Sequence, residues 1–268
     1  MRTAARVVLG LLLIVSPLDA QRMDSTSHGD KTFLVKRDLV ISGLALGTTA
    51  LLSVWDDDIA IASQKPSWQT SSLTSFANKA SKVNETTLTI GGIVVYGIGR
   101  LTKSNTTADI ALHATESVVL ASLTSQLIRG PLGRTRPWVT ADTDQYNFDP
   151  FRGFNSFEHR AFPSIHTSSG MAVATVLTME IHRRHPRATP YVAPLLLAAG
   201  MIPGLSRIQL NQHWASDVFA GAFMGVFSGY KVVKYSHDHP TNWFDRKLLK
   251  VSVTQAPGGG MVVGFSPF

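Results

Sequence analysis

From residue 38 to residue 235, the chain is a succession of apolar segments, each long enough to form an α-helix. Their lengths and apolar spacing fit helices better than strands, which are shorter and alternate in polarity. Polar stretches separate the segments, and the longest of these, Trp138–Phe162, is rich in aromatic residues. The predicted helices are Asp38–Trp55, Thr87–Leu101, Thr106–Arg129, Ser164–Arg184, Pro190–Leu205 and His213–Tyr235, with a loop and a short helix between Gln64 and Glu85.

The C-terminal residues, 248–268, have a different pattern. Leu249, Val251 and Val253 alternate with polar residues, which is the period of a β-strand, and a Pro-Gly-Gly-Gly turn precedes a second apolar run. Two strands cannot close a barrel, so we expect a hairpin attached to a helical body. The predicted fold class is all-α: a single helical bundle with a short C-terminal β-hairpin. A chain of 268 residues fits one such domain.

The N-terminus carries an export pattern. Arg2 and Arg6 precede the apolar run Val7–Val15, and a plausible cleavage site follows at Ala20. This order is typical of a secretory signal peptide, and the run is too short for an ordinary spanning helix. We expect residues 1–20 to be removed, leaving a helical domain at 21–247 with its motif core at 106–235. An uncleaved anchor is the alternative. The domain is expected to be exported, either periplasmic or membrane-associated and facing the periplasm.

The sequence leaves open whether any of these helices spans a membrane. Asp38–Trp55 and Pro190–Leu205 are the best candidates, at 18 and 16 residues, whereas a span needs about 20 residues. The mean hydropathy of +0.09 is low for a polytopic membrane protein. These values favour the buried core helices of a soluble or peripheral bundle, with an integral membrane protein as the alternative.

Composition restricts the partners. The formal net charge is +7 and there are no cysteines, which excludes disulfides and thiolate chemistry. A basic protein suits anionic substrates or an anionic membrane surface. The basic residues are scattered and no nucleic-acid-binding module is recognisable, so no nucleic-acid partner is expected. The sequence does not indicate an oligomeric state.

Near the end of the chain, Ser206, Arg207, His213 and Asp217 follow the pattern S-R-x5-H-x3-D. His213 and Asp217 are four residues apart, so on a helix they would share one face. A carboxylate there can accept a hydrogen bond from one imidazole nitrogen, which leaves the other nitrogen as a nucleophile or base. Arg207 adds a planar cation suited to phosphate. Taken alone, a solvated helix face with a capped histidine is the alternative for this segment.

Two upstream segments carry residues suited to the same chemistry. Arg129 and Arg136 lie seven residues apart around a Gly/Pro-rich turn. The tetrapeptide P-S-I-H, which ends at His166, stands at the start of an apolar helix. Ser164 is expected to cap that helix. A helix start with a hydroxyl and free N–H groups is also a ready anion site.

Together, the three blocks resemble the signature of the type 2 phosphatidic acid phosphatases, which share a fold with vanadium haloperoxidases and bacterial class A acid phosphatases. That signature reads K-x6-R-P, then P-S-G-H, then S-R-x5-H-x3-D, and this chain matches it in order and in internal spacing. It departs at two positions, since Arg129 replaces the usual Lys and Ile165 the usual Gly. Arg129 keeps the charge. Ile165 keeps the backbone N–H and tolerates a helix start.

The resemblance implies a role for each residue. His213 would attack phosphorus to form a phosphohistidine, and Asp217 would orient and charge-support it. His166 would protonate the leaving oxygen and then activate water. The phosphate-binding residues would be Arg129, Arg136, Ser164, Ile165 and Arg207.

No metal or other cofactor is expected, because three fixed arginines can stabilise the phosphoryl charge. No Asp/Glu/His cluster has convincing ligand spacing in the sequence. Asp56–Asp58 is interpreted as a helix terminator with solvated carboxylates. His182 and His185 are placed at a helix C-terminus, and His237 and His239 in a polar loop.

The function implied is a metal-independent phosphatase that hydrolyses a lipid phosphate or an isoprenyl diphosphate. A soluble acid phosphatase of broad specificity, acting on small phosphate esters, is one alternative. A vanadium haloperoxidase, in which His213 would bind vanadate, is another, although that class usually has a longer chain and halide-site residues not found here. A non-catalytic helical envelope protein would require three intact blocks to be relics.

Overall fold

A computed structural model of the chain describes residues 32–240, 242–243, 251–255 and 261–265. The predicted signal peptide, residues 1–20, lies outside these ranges, so its cleavage stays a prediction. The proposed domain boundaries at residues 21 and 247–248 also lie outside them.

The described part of the chain is a bundle of α-helices, which confirms the predicted fold class. Each apolar segment forms a helix whose ends lie within a few residues of the expected ones. Single-turn 3₁₀-helices at Pro137–Val139, Arg152–Phe154 and Phe157–His159 break up the long loop, and another joins α1 to α2 at Ser53–Trp55. The α-helices are α1 Lys36–Leu52, α2 Asp56–Ser63, α3 Ser71–Ala80, α4 Glu85–Leu101, α5 Asn105–Leu132, α6 Ile165–Arg184, α7 Thr189–Gln209 and α8 Ala215–Asp238.

Helix α6 lies at the centre of the bundle, and α5, α7 and α8 pack around it. Helix α4 packs on α5, α3 on α7, and α1 on α8. Small residues line the buried faces of α6, among them Ser168, Ser169, Gly170 and Ala172. Because small side chains let backbones approach closely, several helices can pack against this one.

Three glycines on α8 form the contact with α6. Gly221, Gly225 and Gly229 recur every four residues, and each faces α6. A Cβ atom at Gly221 would lie 2.4 Å from the carbonyl oxygen of Ser164, and one at Gly225 would lie 2.3 Å from that of Ser168. The two backbones are therefore in direct contact. His166 lies in the first turn of α6 and Asp217 in the first turn of α8. The contact between the two helices therefore sets the distance between these two motif residues.

The predicted C-terminal hairpin corresponds to two strands, β1 Val251–Gln255 and β2 Met261–Phe265. They pair antiparallel, with Val251 opposite Phe265 and Gln255 opposite Met261. The turn residues 256–260 lie outside the described residues.

The outer surface of the bundle is strongly apolar. Lys36–Ser63 and Thr189–Gln209 are long and apolar enough to cross a membrane, and only 22% of the residues in their most apolar stretches are buried. Leu39, Leu44 and Leu195 are exposed to 74%, 68% and 71%. The expectation of buried core helices is therefore wrong. An apolar run of this length suits a protein core and a lipid phase equally, and here the exposed apolar area indicates association with a membrane.

We expect Gly225→Ala to lower the free energy of unfolding by about 1–3 kcal/mol, because its methyl group would overpack the α6–α8 contact. Gly97→Ala on α4 is the matched control, since a Cβ atom there has no neighbour within 4 Å. Alanine stabilises a helix interior by about 0.5–1 kcal/mol relative to glycine. Thermal unfolding of both variants in detergent micelles measures the difference. Equal melting temperatures would contradict the close packing.

Candidate functional site

Four helix ends meet at one end of the bundle and bring the sequence motifs together. Arg129 lies in the last turn of α5, His166 in the first turn of α6 and Arg207 in the last turn of α7. Asp217 lies in the first turn of α8, and His213 comes just before that helix rather than on it. The groups are close enough for the guanidinium charges to act on both imidazoles.

The imidazole of His213 is held by the loop that precedes α6. Its Nδ1 lies 2.6 Å from the carbonyl oxygen of Ala161, so Nδ1 carries the proton and donates it. Nε2 therefore keeps a lone pair, as a nucleophile requires. Asp217 Oδ2 lies 3.6 Å from Nδ1, too far for a hydrogen bond, and acts on the ring through its charge. Burial and the guanidiniums of Arg136 and Arg207 hold the pKa of His213 well below its usual value, so the ring is neutral.

Asp217 is fully buried and accepts hydrogen bonds on both carboxylate oxygens. The backbone N–H of Trp214 donates to Oδ2 at 2.8 Å, and Arg134 donates to Oδ1 at 2.6 Å. Burial raises the pKa of this carboxyl to about 6; Arg134 opposes the shift and the charge of Asp56 adds to it. Asp217 thus caps the start of α8 and, through Trp214, fixes the position of the neighbouring His213.

A buried ionic network lies next to His213. Arg134 bridges Asp217 and Asp56, donating to Asp56 Oδ2 at 2.8 Å. Asp56 Oδ1 accepts from the backbone N–H of Ser216 at 2.8 Å, and Asp56 has no exposed surface. The expectation of solvated carboxylates is therefore wrong for Asp56. Arg134 and Ser216 come from distant parts of the chain, so no local pattern showed that this carboxylate is desolvated.

Arg129 and Arg207 each carry a buried donor, Nε, that no described group accepts. Arg129 donates through Nη2 to the carbonyl oxygens of Arg160 and Pro163 at 2.9 and 3.1 Å, and Arg207 donates through Nη2 to Gln212 Oε1 at 3.2 Å. Within the described ranges, the Nε atoms of both guanidiniums are buried without a hydrogen-bond partner. Leaving a buried donor unpaired costs about 1–3 kcal/mol. The pair is therefore suited to an anion with several acceptor oxygens.

Arg136 completes the cationic cluster. Its Nε donates to the carbonyl oxygen of Phe157 at 2.9 Å, and its Nη1 donates to the carbonyl oxygen of Gln212 at 3.0 Å. The guanidinium also lies over the Phe157 ring, 3.9 Å from its centroid. Burial and the charges of Arg129 and Arg207 lower the pKa of Arg136 to about 9. Among the residues that the structure describes, none of these three arginines forms a salt bridge. The cluster therefore has an excess of positive charge.

The start of α6 supplies the other predicted residues. Ser164 occupies the cap position, but its hydroxyl accepts from Thr167 Oγ1 at 2.9 Å and caps no backbone N–H. The first N–H groups of α6 are therefore not taken up by this side chain. Ile165 begins the helix with 2% exposure, so its helical backbone needs no glycine. His166 is half-buried, and burial together with the neighbouring guanidiniums lowers its pKa to about 3.

Several residues of this site were missed by sequence reasoning. Arg134 stands two residues before Arg136, and only the fold sends their guanidiniums to different partners. The R-x-R tripeptide was the one available signal. Asp56 and Ala161 act over long sequence distances. Glu85, at the start of α4, is close enough for its charge to act on the arginine cluster.

A family model and several curated relatives are similar to part of this chain. Residues 110–240 match the family model of the PAP2 superfamily. Curated lipid A 1-phosphatases are similar to this chain: that of Rhizobium etli at 29% identity over 128 residues, that of Rhizobium johnstonii at 28% over 111, and that of Porphyromonas gingivalis at 33% over 103. The alignments cover 47%, 41% and 38% of this chain, and 51%, 41% and 22% of the relatives. The chain thus spans about half, or less, of the length of these relatives.

A solved structure, of the first transmembrane PAP2-type phosphatidylglycerolphosphate phosphatase from Bacillus subtilis, aligns with 73% of this chain and 98% of its own, at 17% identity and a TM-score of 0.36. The region matched by the family model contains all three signature blocks, and helices α5 to α8 bring these blocks to one end of the bundle. The region 110–240, which carries all three blocks, is therefore similar to the PAP2 superfamily.

Proposed function

We propose that this chain is a membrane-associated lipid phosphatase that works through a phosphohistidine on His213 without a metal ion. One observation carries the proposal: beside a neutral histidine whose Nε2 has a lone pair lie two buried guanidiniums, of Arg129 and Arg136, and the partly buried guanidinium of Arg207, none of them salt-bridged among the described residues. Phosphoryl transfer depends on positioning and on stabilising the charge of the equatorial oxygens. Arg129, Arg136 and Arg207 would bind those oxygens, and the N–H groups at the start of α6 would add hydrogen bonds.

In the first step, Nε2 of His213 donates its electron pair to phosphorus while the bond from phosphorus to the leaving oxygen breaks. The leaving oxygen takes a proton from His166. The ring of His213 becomes positive as the bond forms, and Asp217 stabilises that charge from 3.6 Å. Nδ1–H remains bonded to the carbonyl of Ala161, which keeps the ring in one orientation.

In the second step, neutral His166 takes a proton from water, whose oxygen attacks phosphorus. The nitrogen–phosphorus bond breaks, its electron pair returns to Nε2 of His213, and inorganic phosphate leaves. The low pKa of His166 results from burial and from the guanidinium charges. A phosphate dianion among those guanidiniums opposes their field, so we expect substrate binding to raise this pKa and favour the protonated, acidic form.

A lipid phosphate is the proposed substrate class. The outer faces of α1 and α7 are exposed and apolar, which favours a site that works at a membrane surface. The curated relatives are lipid A 1-phosphatases, so lipid A 1-phosphate is the first candidate. An isoprenyl diphosphate is the second, because it offers a terminal phosphate on another lipid. The predicted signal peptide further supports a site that faces the periplasm.

In mixed micelles, we expect lipid A 1-phosphate or another lipid phosphate to be hydrolysed with a higher kcat/KM than soluble phosphate esters.

Activity should persist in a chelator at temperatures where the protein stays folded, because arginines supply the positive charge. Vanadate should inhibit, since it mimics the trigonal-bipyramidal transition state.

Loss of activity in the chelator while the protein stays folded, with recovery on adding a divalent metal, would refute the metal-free mechanism. A preference for soluble esters would favour the acid phosphatase alternative. Vanadate-dependent halide oxidation with negligible phosphatase activity would favour the haloperoxidase.

The two histidines should respond differently to substitution. His213→Ala should abolish turnover of every ester. His166→Ala should lose about 10²–10⁴-fold on alkyl phosphates, the usual contribution of general acid catalysis. It should lose much less in the first step on nitrophenyl phosphate, whose leaving group hardly needs a proton. Stopped-flow should then show a burst of nitrophenol followed by slow turnover, because water activation also needs His166. Equal losses on both substrates without a burst would contradict this assignment.

The network behind the nucleophile predicts a pH effect. The carboxylate of Asp217 supports the positive ring when it is ionised, so activity should rise with pH through about 6, the pKa of this group. Asp56→Asn removes a negative charge that raises this pKa, so the acid limb of the kcat profile should move to lower pH. Asp58→Asn, an exposed carboxylate in the same first turn of α2, is the control. An acid limb that stays in place or moves upward in Asp56→Asn would show that ionisation of Asp217 does not limit turnover.

A further inference from the structure

Four side chains of metal-ligand type converge at the other end of the bundle from the arginine cluster. Asp109 and His113 lie on α5, Glu180 near the end of α6, and His237 in the last turn of α8. One ligand atom from each lies within 4.8 Å of all the others. His113 and Arg129 are on the same helix, about 24 Å apart at 1.5 Å per residue. The cluster is therefore separate from the phosphate site.

The oxygen Oε1 of Glu180 lies between two imidazole nitrogens. It is 3.2 Å from His113 Nδ1 and 2.7 Å from His237 Nε2. The two rings meet edge to face, with centroids 5.3 Å apart, and Glu180 and His113 are buried. Ligand atoms around a tetrahedral zinc ion, at bonds of 2.0–2.1 Å, are about 3.3 Å apart. To reach about 3.3 Å, the Glu180–His113 distance of 3.2 Å and the Glu180–His237 distance of 2.7 Å need to lengthen by no more than about 0.6 Å.

The surrounding groups orient the three ligand side chains. Asp109 Oδ1 lies 3.6 Å from Nε2 of His113, on the far side of the ring from Glu180. A carboxylate facing the second nitrogen is the usual support of a metal-bound histidine. Arg184 pairs with Oε2 of Glu180 and, at 3.3 Å, with Oδ2 of Asp109. It thereby holds Glu180 with Oε1 directed at the imidazoles.

The charge of the cluster also suits a cation. Glu180 pairs through Oε2 with the guanidinium of Arg184, as an ionised carboxylate does. Two carboxylates against one guanidinium leave one negative charge beside two imidazoles. A divalent ion would be attracted by that negative charge at a site already partly desolvated.

We propose that Glu180, His113 and His237 bind a zinc ion, with a water molecule in the fourth tetrahedral position. Two imidazoles with one carboxylate suit zinc, whereas magnesium and calcium prefer oxygen ligands alone. Each ligand comes from a different helix, so the ion fastens α5, α6 and α8 together at the end far from the phosphate site. Its role is to stabilise the bundle. The sequence could not indicate this site, because 67 residues separate His113 from Glu180 and 57 separate Glu180 from His237.

The test uses the full-length protein in detergent, treated with a chelator, dialysed, and titrated with Co²⁺ and then Zn²⁺. We expect one ion per chain, the visible absorption of tetrahedral Co²⁺, its displacement by Zn²⁺, and a higher melting temperature with Zn²⁺. His237→Ala and Glu180→Gln should weaken binding by more than about 100-fold, and Asp109→Asn by about 10–100-fold, the range for a supporting group. His185→Ala, an exposed histidine just after α6, should bind as the wild type does.

Absence of stoichiometric Co²⁺ binding by the wild type would overturn the proposal and leave a hydrogen-bonded network around Glu180. Unchanged affinity in folded His237→Ala and Glu180→Gln would also overturn it, because the ion would then bind elsewhere. If either variant fails to fold, Asp109→Asn and the wild-type Co²⁺ spectrum decide. These readouts are metal content, absorption and melting temperature, so they are independent of whether the chain is a phosphatase.

Discussion

The bridge from Arg134 to Asp217 and Asp56 is the interaction on which the proposed phosphate site depends. Three charged groups are almost completely buried there, and such groups persist only when they are paired and hydrogen-bonded. Each carboxylate accepts from Arg134 on one oxygen and from a backbone N–H on the other. These N–H groups belong to Trp214 for Asp217 and to Ser216 for Asp56, at the start of α8. The network therefore has one low-energy arrangement. It joins three parts of the chain: α2, α8, and the loop that follows α5. It thereby fixes the position of the chain next to His213.

The arginines at this end of the bundle form two groups, those that pair with a carboxylate and those that do not. Arg134 is neutralised by two aspartates and serves as a structural bridge. Arg129, Arg136 and Arg207 are held mostly by carbonyl and amide oxygens, which satisfy donors without cancelling charge. A group of cations oriented by neutral acceptors retains its positive field. Burial and that field lower the pKa values of His166 and His213, and the field favours an anion at this end of the bundle.

The bundle has two different ends and an apolar surface between them. One end has excess positive charge and the other pairs carboxylates with imidazoles and Arg184. Small residues along α6 and α8 place the central helices in backbone contact, so the interior needs little apolar volume. Large apolar side chains such as Leu39 and Leu195 are then left on the outside. Apolar side chains on the outside of α1 and α7 are consistent with association with a membrane.

The sequence by itself determined the helices, their order and the three motif blocks that carry Arg129, His166 and His213, because periodicity and spacing are local properties. It did not determine the burial of Asp56, the hydrogen bond from His213 to Ala161, or the cluster at the far end of the bundle. Those depend on groups tens of residues apart, which only helix packing brings within hydrogen-bond distance. The outward direction of the apolar faces was also decided by tertiary structure, since the same apolar period suits a protein core and a lipid phase.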